Sequence, residues 1–294
     1  MKFSERIGLV KPKMYLQIDS INDELKNSLW NLFLDLYDNS PKDYWVRVSK
    51  HTAKFFRKIP VDTLPYRDYE CRQWLKKYFY SLNWYRVYEF LEFIVGNHIT
   101  MTREPRGYAP GYDNHEIDEE RLISWCNIVL ERELSGYRFI SGILSPISDK
   151  AEVTEVENAI NSSNKEGLYG ASEHIKTAIE MLGKKPKPDF RNAIKEAISA
   201  VESVSKQISE SNSKGLEGAL SELCKHTEIH GALKSGFLKL YGYSSDEDGI
   251  RHAILDQPNI GFAEAKYMIV SCSAFVNFLI LKADSVGLLQ NIEK

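Results

Sequence analysis

Cysteine is scarce and scattered in this chain. The four residues, Cys71, Cys126, Cys224 and Cys272, form no CxxC pair, which argues against a disulfide framework or a zinc ribbon and fits a reducing, cytoplasmic setting. Charge of one sign is also lacking. A formal net charge of −3 over 294 residues gives no global basic field, so contact with nucleic acid has to come from a local patch or from a cleft between two copies. No P-loop, GxGxxG or GxSxG occurs, which removes the familiar phosphate cradles and the nucleophile elbow. The N-terminus, MKFSERIGLV, carries charges and no long apolar stretch, so no secretory signal is expected. The most apolar run, Tyr267 to Leu281, covers fifteen residues and contains Ser271, Ser273 and Asn277. A spanning helix needs roughly 20, so a buried core helix and no membrane partner are expected.

What is present is material for packed cores: 43% hydrophobic residues, with aromatics at 12%, rule out disorder as the default. Leu25, Leu29, Leu32, Phe33 and Leu36 recur at spacings of three and four, which predicts a helix over 22–36 with Asp23 and Glu24 in its first turn. The aromatic run from Trp74 to Phe93 reads as a mostly helical core broken near Ser81 to Asn83. Breakers at Pro105, Gly107, Pro110 and Gly111 mark a loop, and helix resumes near Asp118. Two β-prone runs flank Ser141-Gly142 and predict a small hairpin. From there the period is helical: a helix over 149–166, then 191–209, 216–241, a short helix after Ser245, and 262–283. The fold class expected is mainly α. A helical domain with a small β-hairpin spans 1–148, and an up-and-down bundle of four to five helices spans 149–294.

The stretch from Tyr243 to Pro258 is the most unusual in the chain. Ser244 with Glu247, or Ser245 with Asp248, has capping-box spacing, so a helix is expected to start there and to end before Pro258. Arg251 and His252 fall in its second turn. Histidine titrates near neutrality and can move a proton to or from a ribose hydroxyl, while arginine holds the phosphate and its growing charge. No metal and no cofactor is needed for that division of labour. The bland alternative is a solvated helix end on which Asp246, Glu247 and Asp248 pair with Arg251. His226 and His230, four apart on an expected helix, have metal-ligand spacing without the glutamate position of a zincin, and a partly exposed histidine pair is the simpler reading. Arg103, Arg106, Tyr108 and Tyr112 mix basic and aromatic side chains in a loop, a mixture suited to single strands and equally ordinary for a charged surface loop.

Two sets of segments resemble known families. Phe3-Ser-Glu-Arg6, Gln17-Ile18, Asp23-Glu-Leu25 with Leu29-Trp-Asn31, Gly136-Tyr-Arg-Phe-Ile140 and Ser145-Pro-Ile147 resemble the N-terminal domain of AbiJ-like abortive-infection proteins. The stretches 189–202, 240–253, 265–268 and 272–277 resemble the HEPN domain joined to it. The resemblance implies defence against phage, with 1–148 sensing a phage or host trigger or restraining the second domain. It further implies metal-independent RNA cleavage by a HEPN homodimer, in which Arg251 and His252 of two subunits meet across a two-fold axis. Asn192, Glu196 and Glu202 on the polar face of the 191–209 helix are then the expected supporting residues. In the family the arginine and histidine are separated by several residues, whereas here they are adjacent. The alternative is a non-catalytic HEPN module that dimerises or holds RNA, a nucleotide or a protein partner.

Overall fold

Apolar residues at helical spacing decide most of the elements. The computed structural model describes residues 3–9, 16–38, 43–102, 118–184, 187–208, 217–218, 220–221, 224–245 and 260–291, and it is mainly α. It divides into two units, Met1–Leu144 and Ser145–Lys294.

In the first unit, α1 (Phe3–Arg6) is a single turn. Helix α2 (Asp23–Tyr37) buries Leu25, Leu29, Leu32, Phe33 and Leu36, the residues whose spacing predicts it. Asn22 caps it by accepting from the Leu25 amide at 2.9 Å, and Asp23 and Glu24 oppose the positive end of its dipole. Helix α3 (Tyr44–His51) continues directly into a π-helical turn, Thr52–Arg57. Helices α4 (Asp68–Ser81) and α5 (Trp84–Thr102) flank the expected break, and α6 (Glu119–Arg132) starts at Asp118, whose carboxylate accepts from the Arg121 amide. Of the loop expected over 101–116, residues 101 and 102 are instead the end of α5, and 103–116 lie outside the described residues.

Rings make the core of this unit. Trp30 stacks on Trp45 with centroids 5.5 Å apart, and Phe33 meets Phe79 and Phe90 edge to face, geometries worth about 0.5–1.5 kcal/mol each beyond their burial. The aromatic run read as core is in fact divided. Phe79, Phe90 and Leu91 are buried, whereas Trp74, Tyr78 and Phe93 only pack against the core from its rim. Strands β1 (Arg138–Ile140) and β2 (Ile143–Ser145) form the expected hairpin. Ser141 and Gly142 both have positive φ, 48° and 84°, as a two-residue turn matched to the strand twist requires.

In the second unit, α7 (Lys150–Lys165), α8 (Tyr169–Gly183), α9 (Phe190–Ile208) and α11 (Phe262–Ser285) pack on one another, while α10 (Gly231–Ser245) touches α9 more lightly. Asp149 caps α7, accepting from the amides of Ala151 and Glu152. Helix α10 is attached through Phe237, whose ring stacks on Phe275 at 3.7 Å. The helix expected over 216–241 is interrupted. Residues 224–230 are turn and irregular chain, and α10 begins only at Gly231, where His230 Nδ1 accepts from the Ala232 amide at 3.2 Å. Helix α11, at 24 residues, outruns the fifteen-residue apolar run, because its serines and Asn277 do not interrupt the period. By length and composition it is the one described helix long and apolar enough to cross a membrane. Its Ala265, Met268, Ile269, Cys272, Val276 and Leu279 are nonetheless buried in the bundle. Lys266 reaches Glu152 at 2.7 Å, and Asn277 donates to the Glu155 carboxylate at 2.8 Å and to its carbonyl at 3.0 Å, fastening α11 to α7.

Gln17, through its main chain and its side chain, helps to close the first unit on itself. The Gln17 amide donates to the Leu134 carbonyl at 2.8 Å and its carbonyl accepts from Gly136 at 2.9 Å, a short parallel bridge. Its side chain donates to the Glu133 carbonyl and accepts from the Asn22 amide. Residue 17 therefore ties the start of α2 to the turn after α6. The close approach needs a glycine at 136, where an added Cβ would fall 2.9 Å from Ile18 Cγ1 and 3.1 Å from the Gln17 carbonyl oxygen. Gly136→Ala is expected to cost about 1–3 kcal/mol by forcing this contact apart, read as a lower urea midpoint for the N-terminal unit.

Candidate functional site

Helix α9 carries the polar face on which the expected supporting residues lie. At 3.6 residues per turn, Ala193, Ile194, Ala197, Ile198, Val201 and Val204 occupy one side, and Asn192, Glu196, Ser199 and Ser203 fall together on the other. The apolar side is buried between α8 and α11. Helix α8 runs antiparallel to α9 and comes so near that a Cβ on Gly170 would sit 2.8 Å from Ser203 Oγ.

That approach brings His174 of α8 onto Glu196, with Nδ1 2.6 Å from Oε2. Both side chains are about a third exposed, at 38% and 29%, so the pair is worth no more than about 1 kcal/mol to stability. Its chemical value is different. A carboxylate on Nδ1 fixes the ring's orientation and favours the tautomer that leaves Nε2 free to take a proton. His174 carries no sequence signal of its own, because it becomes a partner of Glu196 only through the antiparallel register of two helices.

The other two supporting residues do not join this pair. Asn192 donates through its side chain to Asp189 at 2.7 Å, and its amide donates to the same carboxylate, so it serves the start of its own helix. Glu202 lies on the flank of the polar arc and holds Lys206 at 3.3 Å, one turn on. Arg191, beside Asn192, buries its Nε without an acceptor among the described residues. Arg251 and His252 lie outside the described residues, so their placement relative to Glu196 is not part of this geometry.

His226 and His230 are not on a helix and so lose the spacing argument for a shared metal. Among the described residues, no group of three His, Cys, Asp or Glu side chains could hold a metal ion. Burial pushes the thiols of Cys126 and Cys272 up to about 12, which leaves them protonated and unreactive. Burial also lowers His98, whose neutral ring meets the Tyr37 hydroxyl at 3.3 Å.

On α7, burial raises the Glu157 carboxyl above its ordinary range. A raised acid pKa means that the folded chain holds the proton more tightly than the unfolded chain. The stability this gives is complete below the unfolded pKa and is lost as pH rises through the folded one. Glu157→Gln is therefore expected to raise the melting temperature at pH 7, with the advantage vanishing as pH falls below about 4. His174→Gln is expected to shift the urea midpoint by less than about 1 kcal/mol equivalent, so a larger functional loss in that variant would locate chemistry at the pair.

AbiJ N-terminal domain 4 matches residues 1–162, more than half of the 294 residues. The match runs through the first unit and the hairpin into all but the last turn of α7. No curated protein and no solved structure matches the chain. With its first unit and its α2 cap, Gln17 clip and hairpin all inside that match, the chain belongs to the AbiJ N-terminal domain 4 family.

Proposed function

We propose that this chain is a phage-defence protein of the abortive-infection kind, whose C-terminal unit is a HEPN-type bundle that cuts RNA without metal as a homodimer in the cytoplasm. The observation that carries the reading is the family match over 1–162, which ends inside α7, a helix packed into the C-terminal bundle. The family segment thus extends into the first helix of the bundle. In this reading 1–148 senses a phage or host trigger and 149–294 acts.

The reaction is a transesterification. Attack of a ribose 2′-oxygen on the adjacent phosphate expels the 5′-oxygen and leaves a 2′,3′-cyclic phosphate and a 5′-hydroxyl. His252 moves the proton and Arg251 holds the charge on the phosphate. Two copies of the pair across a two-fold axis would supply the cationic cleft that a chain of net charge −3 lacks. Glu196, through His174, would set the polar edge of α9 that RNA meets.

A second reading, a HEPN module that holds RNA, a nucleotide or a protein partner without cutting, is favoured by two observations. Arg251 and His252 are adjacent and follow the acidic run Asp246 to Asp248. Glu202 is already committed to Lys206. Incubation of the purified dimer with total RNA in EDTA separates the two readings. The cutting reading expects 2′,3′-cyclic phosphate ends from the wild type and a loss of about 10²–10⁴ in rate for Arg251→Ala/His252→Ala. Equal cleavage, or none from either protein in the dimeric state, leaves the binding module.

A further inference from the structure

The segment from Arg47 to Lys58 holds Arg47, Lys50, Lys54, Arg57 and Lys58 and no acidic residue, a local excess inside an acidic chain. It forms the end of α3 and the π-helical turn after it. Such turns break the regular ladder and are frequent at functional sites. The turn ends at Lys58 with φ 54°, the left-handed region, where its amide and that of Ile59 both bond the Ala53 carbonyl. Glycine would hold this position at less cost; the chain places a cation there instead.

Beside the cations lies a band of rings that does not belong to the buried core. Phe55 meets His51 at 4.5 Å, His51 meets Phe93 at 5.7 Å, Phe93 meets Phe56 at 5.1 Å, Phe56 meets Tyr78 at 6.4 Å, and Tyr78 stacks on Trp74 at 6.2 Å. Phe55 is 51% exposed, and the other five rings are partly buried, presenting edges and part of a face at the rim of the core. Cations already sit on the band. Arg57 lies over Tyr78 at 4.4 Å and Trp74 at 5.2 Å, Lys54 over Phe55 at 4.9 Å, and Arg86 over Phe56 at 4.8 Å. Arg86 is neutralised by Glu89. Lys50, Lys54, Arg57 and Lys58 have no carboxylate partner among the described residues.

From this juxtaposition we infer that the α3–π-turn face of the N-terminal unit binds single-stranded nucleic acid. Unpaired cations spaced along Lys50, Lys54 and Lys58 follow a phosphate backbone, and the flat rings between them accept stacked bases without reading sequence. A duplex hides its base faces and uses only the charges. An anionic lipid surface would use the charges and the exposed Phe55 ring but would find no use for the partly buried rings strung out behind it, and vesicle binding separates it from single strands. The surface lies wholly within the first unit, and it stands whether or not the C-terminal unit cuts RNA.

The test uses the full chain carrying Arg251→Ala/His252→Ala, so that any cleavage tied to that pair cannot consume the probe. Fluorescence anisotropy with a labelled single-stranded RNA, the same sequence as single-stranded DNA, and the corresponding duplex measures binding. Single strands are expected to bind more tightly than the duplex, and the two single-stranded probes show whether the sugar matters. Adding Lys54→Glu/Lys58→Glu, both at exposed positions, should weaken binding about tenfold or more and make the salt dependence shallower by about 1.4 in log–log slope. Adding Phe55→Ala should weaken it about fivefold or more, with circular dichroism reporting that each variant is folded. Single-strand affinity untouched by the lysine pair overturns the proposal, as does no binding at all. Binding of anionic phosphatidylserine vesicles with no affinity for single strands overturns it in favour of a membrane surface.

Discussion

Packing α9 between α8 and α11 leaves its polar side chains the opposite side of the helix, and what those side chains do in the C-terminal unit follows from that confinement. Gln207 is the one exposed residue of the helix, the rest being buried or partly buried. A carboxylate on such a helix has to find a partner or pay for its partial burial. Glu196 finds His174 across the helix pair and Glu202 finds Lys206 along its own helix. The small residues at the crossing, Gly170 and Ser203, set how near α8 comes and so bring the imidazole within 2.6 Å of the carboxylate. A bulkier residue at 170 would separate the pair without touching either member.

The first unit is governed by a different constraint, the joining of segments far apart in sequence. Gln17 reaches residues more than a hundred positions away through bonds of both its main chain and its side chain. Ser28 adds a bond to the Glu133 carboxylate at 2.8 Å, and Tyr88 adds one to Ser135 at 2.7 Å, on the same turn. The turn after α6 is thus held from three elements. Arg138, buried at 7% exposure and pointing back to the carbonyls of Ser135 and Tyr137, completes it. Gln17-Ile18 and Gly136-Tyr-Arg-Phe-Ile140, which carry the family likeness in the sequence, are therefore one structural fastening written in two places. Their place in this fold has a stability explanation before any functional one.

The periodic parts of this fold were readable from the sequence. α2, α6, α7 and α9 follow from apolar spacing, because that signal is local and the helix needs little else. The hairpin follows from Ser141-Gly142 for the same reason. One reading failed and another is refined where tertiary contacts decide. The helix expected over 216–241 breaks before Gly231, and the aromatic run at 74–93 divides between core and rim according to which helix face meets α2. The His174–Glu196 pair was half legible: α9's polar face pointed to Glu196, but no local pattern in α8 identifies its partner. The Arg251–His252 pair, the strongest chemical suggestion in the sequence, falls outside the described residues, so the geometry neither adds to it nor subtracts from it.

Charge placement reconciles a weakly acidic chain with an anionic partner. Attraction between exposed charges dies away over about 8 Å at physiological salt, so a polyanion responds to the residues under it and not to the net charge. Five cations within the twelve positions from Arg47 to Lys58 make a local field that distant carboxylates barely reduce. The cation–ring contacts of Arg57 and Lys54 hold two of these side chains in place before any ligand arrives, which lowers the ordering cost of binding. The same physics applies to the C-terminal unit, where the acidic run before Arg251 is close in sequence and therefore within screening range. If Arg251 is to hold a phosphate, those carboxylates must face away from it or a second Arg251 must be brought near. In the homodimer proposed above, that second Arg251 would come from the other copy.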